Sequence, residues 1–214
     1  MTQSAKKNRL TLEQYAALER GSDMKHEYCG GEVFAMAGGS PEHSLVSTNV
    51  TRLLGNLLAE RPCIVFNSDM SVYIEATNVA TYPDALVICG PVQRHPVLEN
   101  SVLNPVLIVE VLSPSTEAYD RGAKFSHYKR LPSLTEYLLV ATDRIHVDHF
   151  IRDESSFWRA AEHTGLDASM PLASIPCELR LRDVYAKIEL VAKLAQELSP
   201  HPRGVGQPIV PDGN

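Results

Sequence analysis

The amino-acid sequence predicts an α+β fold in which a central mixed β-sheet is flanked by helices. Helical patterns with recognisable start signals are interleaved with short runs of β-branched and apolar residues. The chain has 214 residues, of which 44% are apolar and 21% charged, as is usual for a globular protein. We therefore predict a single domain over residues 1–198, followed by a disordered tail at 199–214 that is rich in proline and glycine.

The predicted helices rest mainly on their end signals. Thr11 and Gln14 form a capping-box pattern, which starts a short helix that ends near Leu18. Ser40-Pro41 starts a longer helix, which has apolar residues near a 3.6-residue period and ends before Pro62. Two further helices are predicted, over residues 120–130 and from Asp183 onwards.

The predicted strands are runs of β-branched and apolar residues bounded by turn signals. They cover residues 26–28, 32–37, 63–66, 70–74, 85–89, 106–112, 136–141, 146–152 and 157–161. The first two form a hairpin, since Gly30-Gly31 can adopt the positive φ angles of a tight turn. The last two form a second hairpin through residues 153–156. The run from 90 to 104 contains Pro91 and Pro96 and is predicted to be a loop.

Charge and composition exclude several classes of protein. The net charge of −6 gives no overall basic signal for nucleic acid, so any such binding needs a local patch. The N-terminus lacks the apolar segment of a signal peptide, and no apolar run is long enough to span a membrane. The four cysteines are far apart and include no Cys-x-x-Cys pair, which argues against structural zinc and favours buried free thiols. We expect a cytoplasmic protein.

Two carboxylates stand in runs that are otherwise apolar. Glu110 lies within the strand pattern 106–112, and Asp84 directly precedes the pattern 85–89. A buried charge needs a partner, a shifted pKa or a metal ion, so the two acids predict a shared cation site. Mg²⁺ prefers such oxygen ligands. The alternative is structural: Asp84 caps a turn, and Glu110 pairs with an internal arginine or lysine.

A longer series of motifs resembles the Uma-two family of the restriction-endonuclease-like superfamily, which is defined by the PD-(D/E)XK motif. The resemblance covers about residues 10–190. The residues that carry it are Glu27-Tyr28, Gly31-Glu32-Val33, Met36-Ala37-Gly38, His43, Tyr82-Pro83-Asp84, 109–116, 120–124, Tyr128 and 131–137. It implies a restriction-endonuclease-like core and a metal-dependent endonuclease that hydrolyses DNA phosphodiester bonds with Mg²⁺ or Mn²⁺.

The resemblance also implies roles for individual residues. Asp84 and Glu110 would hold the metal together with the main-chain carbonyl of Val111. The superfamily places a lysine two residues after the acid, where this chain has Leu112. Residue 112 shares the strand face of Glu110, so Lys124 on the following helix is the expected substitute, with Asp120 and either His127 or Tyr128 on the same helix face. The alternative is a surface Lys124 that pairs with Asp120.

Three further residues complete the candidate set. Glu27 matches an upstream acid of the family and is a candidate for completing the metal shell or for a hydrogen bond to a ligand water. The alternative is a solvent-exposed acid at a strand end. His43, near a helix N-terminus, and Arg121 are candidates for contacts with phosphate. We expect a homodimer, because cutting both strands of a duplex takes two sites, and the aromatic residues Phe150 and 157–158 offer an interface. The alternative to this interface is that the rings close the core of one chain.

The alternative to an active nuclease is a catalytically inert module of the same fold that binds nucleic acid or protein.

Overall fold

A computed structural model describes residues 9–188 of the chain. The helices are α1 Leu12–Gly21, α2 Pro41–Leu57, α3 Glu117–Tyr119, α4 Phe125–Tyr128 and α5 Leu181–Val184. A π-helical turn over Asp120–Lys124 joins α3 to α4, and a 3₁₀ turn spans Glu75–Thr77. The predicted tail at 199–214 and most of the predicted last helix lie outside the described residues.

The larger sheet has six strands in the order β11-β10-β9-β8-β6-β3. Their bounds are β3 Cys63–Asn67, β6 Ala85–Cys89, β8 Leu107–Val111, β9 Glu136–Val140, β10 His146–Arg152 and β11 Trp158–Thr164. The central pair β8 and β9 is parallel, and the other pairs are antiparallel. The prediction of a central mixed sheet is therefore confirmed.

The second sheet has five strands in the order β2-β1-β5-β4-β7. Its strands are β1 His26–Cys29, β2 Glu32–Ala35, β4 Ser71–Ile74, β5 Val79–Thr81 and β7 Ser101–Val102. A separate hairpin pairs β12 Ser169–Leu172 with β13 Cys177–Arg180. The short strands β5 and β7 and this hairpin were not predicted, because they contain too few residues to show a period.

The predicted start and turn signals are present in the structure. Thr11 and Gln14 form both bonds of the capping box, and α1 continues three residues beyond the predicted end at Leu18. The Ser40 side chain accepts a hydrogen bond from the His43 N–H, and Pro41 is the first residue of α2. Gly30 and Gly31 have φ angles of 55° and 101° in the β1–β2 turn. These local signals placed the elements correctly because they act over three or four residues.

Helices cover both faces of the six-stranded sheet. On one face α2 buries Val46, Val50 and Leu54 against odd-numbered residues of β6 and β8, such as Val87 and Val109. On the other face, α4 and the strands β4, β5 and β7 pack against even-numbered residues of the same strands. Since side chains alternate along a strand, Glu110 belongs to the second face, beneath the helical run 117–128.

Several predictions from the sequence were wrong. Cys63 and Cys89 form a disulfide between the adjacent strands β3 and β6, and the free cysteines Cys29 and Cys177 are only half-buried. The predicted start at Asp183 lies inside α5, which begins at Leu181 and ends at Val184. Lys187 then adopts a positive φ of 66°, which a continuous helix does not allow.

The aromatic residues predicted for an interface divide into two groups. The rings of Phe150 and Trp158 pack against Phe125, with centroid distances of 4.6 and 5.2 Å, and so belong to the core of this chain. Phe157 is 73% exposed. Among residues 9–188, no helix is long and apolar enough to cross a membrane.

Candidate functional site

The register of two neighbouring strands brings Asp84 and Glu110 to the same place. Ala85 of β6 is paired with Val109 of β8, so the next positions along the two antiparallel strands are those of Asp84 and Glu110. Paired positions share a sheet face. Glu110 is 3% exposed, and Asp84 directly precedes β6 with a side chain that is 14% exposed.

Lys124 reaches these carboxylates from the helical run above the sheet. Its Nζ lies 2.9 Å from Glu110 Oε1, 3.3 Å from Glu27 Oε1 and 3.6 Å from Asp120 Oδ1. The residue is 5% exposed, so the alternative of a surface lysine paired only with Asp120 is wrong. Three carboxylates therefore lie around Lys124, and Asp84 lies next to one of them, Glu110, on the adjacent strand. We call the four acids Glu27, Asp84, Glu110 and Asp120 the carboxylate cluster.

The helix that carries Lys124 is wider than an α-helix at this point. Asp120 and Lys124 are both buried within the π-helical turn. The hydroxyl of Tyr137 donates a hydrogen bond of 3.0 Å to the Asp120 carbonyl, which takes up an acceptor that the irregular turn leaves available. Tyr128, rather than His127, shares the inner face, and its hydroxyl donates to Glu110 Oε1 at 2.8 Å.

Other contacts fix the remaining carboxylates. The Val111 N–H donates to Asp84 Oδ2 at 2.7 Å, and the Thr81 hydroxyl donates to Glu27 Oε1. Thr81 is a residue of β5, adjacent to β1, so the five-stranded sheet supplies and holds Glu27. The structural alternative thus describes real contacts: Asp84 caps the main chain at Val111, and Glu110 pairs with an internal lysine.

His43 approaches the same group from the first turn of α2. Its Nε2 lies 3.4 Å from Asp84 Oδ2. The hydrogen bond to Asp84 raises the pKa of His43, and a further bond to the main chain of Val111 acts in the same direction. The imidazole therefore borders the Asp84 carboxylate and the Val111 carbonyl, which are two of the three proposed metal ligands.

The carboxylate cluster has more negative charge than its neighbours balance. Its members would contribute four negative charges when ionised, against Lys124 and, when protonated, His43. Burial raises the pKa of Glu110 to about 8, and burial also raises the pKa of Asp120. Burial alone would lower the pKa of Lys124, but its carboxylate neighbours raise it well above the usual range. Lys124 is therefore a permanent cation, and the other three acids leave a surplus of negative charge when they are ionised, even while Glu110 is protonated.

The donor chemistry fits a hard divalent cation. Carboxylate and carbonyl oxygens are the ligands of Mg²⁺, which commonly uses one or two carboxylates and keeps several waters. Within residues 9–188, no three His, Cys, Asp or Glu side chains converge closely enough to hold an ion by themselves. Asp84, Glu110 and the Val111 carbonyl match the smaller Mg²⁺ donor set, and a divalent ion would offset the surplus negative charge.

Arg121, which the sequence suggested as a phosphate contact, forms ion pairs in the structure. Its guanidinium lies 2.8 Å from Glu117 and 2.6 Å from Asp148. A phosphate contact by Arg121 stays a prediction and would compete with these carboxylates.

Asp120 was placed on the helix face of Lys124 by the sequence analysis, but it was given no role in the site and was a partner of Lys124 only in the alternative. Its spacing of four residues before Lys124 and eight before the buried Tyr128 was the available signal.

Comparison with known proteins identifies similar chains. The profile of the Uma2 family, which carries the description "Putative restriction endonuclease", matches residues 12–184. Two proteins of Synechocystis sp. strain PCC 6803 are similar, namely "Uncharacterized protein slr1290" and "Uncharacterized protein sll1609". The first is 37% identical over 83% of this chain and 92% of its own length, and the second is 33% identical over 75% and 91%.

A crystal structure has a similar fold. It is described as "a putative nuclease belonging to DUF820" from Anabaena variabilis ATCC 29413. The TM-score is 0.67, with 17% sequence identity, and the match covers 82% of this chain and 97% of the other. The two proteins therefore share a fold, in agreement with the fold class that the sequence predicts.

Proposed function

Because this chain belongs to the Uma2 family, we propose that it is a metal-dependent endonuclease that hydrolyses DNA phosphodiester bonds. The observation that supports this best is the convergence of Lys124 on Glu110 and Glu27, next to Asp84 at the end of the adjacent strand. The carboxylates, with their surplus negative charge, are suited to bind a divalent ion, and the permanent cation Lys124 is suited to act on a phosphate group.

Each residue has a defined part in this proposal. Asp84, Glu110 and the Val111 carbonyl would hold Mg²⁺ or Mn²⁺. Such an ion polarises a phosphodiester and makes a bound water more acidic. Lys124 holds its proton at Nζ, orients the attacking water and stabilises the negative charge that develops on the phosphate oxygens. Glu27, fixed by Thr81, positions Lys124. It would also accept a hydrogen bond from a water held by the bound ion.

His43 is the residue that we assign to contact with the DNA backbone. It occupies the first turn of α2, and the N-terminal end of a helix attracts anions. Its pKa is raised by Asp84, so it gains positive charge more easily than an isolated histidine. We propose that His43 contacts the phosphate next to the one that is cleaved.

A second candidate function is an inert module that binds nucleic acid or protein. It is favoured by Leu112, which is 3% exposed within the core where the superfamily carries lysine. It is also favoured by the direct contacts of Glu110 with Lys124 and of Asp84 with Val111, which satisfy both acids without a metal.

Cleavage assays distinguish the two functions. Purified protein with Mg²⁺ or Mn²⁺ is expected to nick or cut plasmid DNA, and Asp84→Ala or Glu110→Ala should abolish cleavage. Lys124→Ala should retain more activity than either acid variant, since it assists the reaction without holding the ion. Glu162→Ala, a change at an exposed acid on β11, is the control for a contaminating nuclease and should cut at the wild-type rate.

Two outcomes would change this proposal. Folded wild-type protein that binds DNA but cuts none of a range of linear, nicked and supercoiled substrates would support the inert module. Equal cleavage by wild type and Lys124→Ala would remove Lys124 from the mechanism while leaving the two acids in it.

A further inference from the structure

A buried acid on the opposite face of the six-stranded sheet is not used by the proposed nuclease site. Glu136 of β9 is 0% exposed. It accepts hydrogen bonds from His149 Nε2 at 2.8 Å, from the Ala173 N–H at 2.6 Å and from the Ser174 N–H at 2.8 Å. It lies in line with Leu138 of β9, on the face that packs against α2, whereas Glu110 is on the other face. This group is therefore separate from the carboxylate cluster.

The hydrogen bond to Glu136 determines which ring nitrogen of His149 carries the proton of the neutral imidazole. A carboxylate only accepts, so the proton of the neutral imidazole is placed on Nε2. The other nitrogen, Nδ1, then carries a lone pair and accepts a hydrogen bond of 3.3 Å from Nε2 of His163 on the neighbouring strand β11. We call His149 and His163 the histidine pair.

A metal ion can take the place of the proton in this hydrogen bond. When His163 adopts its other tautomer, with the proton on Nδ1, its Nε2 carries a lone pair that faces the lone pair on Nδ1 of His149. The neutral imidazole is the form that binds metals, and both rings are neutral in this arrangement.

We propose that the histidine pair is a binding site for a borderline transition-metal ion of the Zn²⁺, Ni²⁺ or Cu²⁺ class. Two nitrogen ligands at about 2.0–2.1 Å from a tetrahedral ion are about 3.3 Å apart, as the facing nitrogens are here. The second nitrogen of His149 donates to a buried carboxylate, which is the arrangement that orients metal-bound histidines in proteins. Imidazole favours these ions, whereas Mg²⁺ favours the oxygen donors of the carboxylate cluster.

The remaining ligands of such an ion come from solvent. Within the described part of the chain no group of three His, Cys, Asp or Glu side chains is arranged for metal binding, so the pair supplies two positions. His163 is half-buried on β11, an edge strand of the sheet, which gives an ion access from outside. A bound ion would tie this edge strand to β10 and, through Glu136, to the loop at residues 173–174.

The test titrates Zn²⁺ into the full-length protein while the ring nitrogens of histidine are followed by NMR. In wild type, Nδ1 of His149 and Nε2 of His163 should shift together at one stoichiometric equivalent, and the melting temperature should rise. The key variant is His163→Gln. Its side-chain amide can still donate a hydrogen bond to His149 Nδ1, so the structure is kept while a metal ligand is lost.

His163→Gln should bind Zn²⁺ at this site at least about 10–100-fold more weakly, the loss reported for partners one step further from a metal. His146→Gln is the matched control on β10, the strand of His149, since His146 contacts Asp148 instead, and it should bind like wild type. Equal Zn²⁺ affinity of wild type and His163→Gln, or Zn²⁺ uptake without shifts of these two nitrogens, would overturn the proposal. Neither result bears on DNA cleavage, which depends on the other face of the sheet.

Discussion

Lys124 and Glu110 form one ion pair, but the surplus negative charge of the carboxylate cluster predicts that losing Lys124 destabilises the fold more than losing Glu110. Lys124→Met keeps the length of the side chain but removes the positive charge next to Glu110, Glu27 and Asp120. These buried acids would then be left without their shared cation. Breaking a buried pair in this way costs about 3–5 kcal/mol of the free energy of unfolding.

Glu110→Gln should be much less costly. Lys124 keeps Glu27 and Asp120 as partners, and the glutamine carbonyl still accepts the hydrogen bond from the Tyr128 hydroxyl. The substitution also removes an acid whose charged form is unfavourable at this buried position, since burial raises the pKa of Glu110 to about 8. We expect a loss below about 1.5 kcal/mol, the value of a typical hydrogen bond.

Thermal and urea denaturation of the two variants, without divalent ions, measures this difference. For a domain of this size, about 1 kcal/mol corresponds to about 2–4 °C, so Lys124→Met should lower the melting temperature by about 6–20 °C. Lys129→Met is the control. Lys129 is exposed directly after this helical run, and its Nζ lies 4.1 Å from the centre of the Phe125 ring. Such a contact is worth about 0.5–1 kcal/mol, so the control should lose no more stability than that.

Divalent ions add a second measurement. Mn²⁺ should recover part of the stability of Lys124→Met, because an ion that binds only the folded state stabilises it. Equal losses in Lys124→Met and Glu110→Gln would show that Glu27 and Asp120 do not share the lysine. The reasoning about surplus charge would then be refuted.

Three further predictions concern single contacts. Tyr128→Phe should lower the free energy of unfolding by about 1.5–3 kcal/mol, as measured by urea denaturation, because Glu110 loses a donor within a buried ionic group. Burial would raise the pKa of Glu136, but hydrogen bonds from His149 and Ser174 lower it below 4.5. Its contribution to stability is therefore present above pH 4.5 and lost as the pH falls through the lowered pKa. In Glu136→Gln, the free energy of unfolding should therefore fall less on acidification than it does in wild type. If the chain is a homodimer that uses its exposed aromatic residue, Phe157→Ser should shift light scattering towards the monomer; a wild-type monomer at micromolar concentration would contradict this.

The sequence predicted features that depend on neighbours in the chain. The capping box at Thr11 and the proline at the start of α2 act within one turn, so they could be recognised without knowledge of the fold. The alternation of side chains along a strand also allowed a correct inference about Leu112. It lies on the face of Glu110, and it is buried among the residues that pack against the helical run.

Features that depend on pairing between distant segments were not predictable. The disulfide requires Cys63 and Cys89 to be partners across β3 and β6, and no local pattern sets that register. The strand β5 has three residues, and it is held by pairing with β1 and β4 rather than by its own sequence. Likewise, Glu136 was assigned to a strand without a role, since its partners Ala173 and Ser174 are far along the chain.

The position of the lysine shows how these two kinds of information combine. A lysine at position 112 would extend from the strand into the space that Phe125 and Tyr128 now fill with Leu112. The helical run lies over the same face, so the Lys124 ammonium lies next to Glu110 from the helix side, while the strand keeps the apolar Leu112. Strand alternation places residue 112 on the face of Glu110, but only the packing of the helix on that face selects Lys124. A lysine absent from the strand motif is therefore compatible with a lysine present in the site.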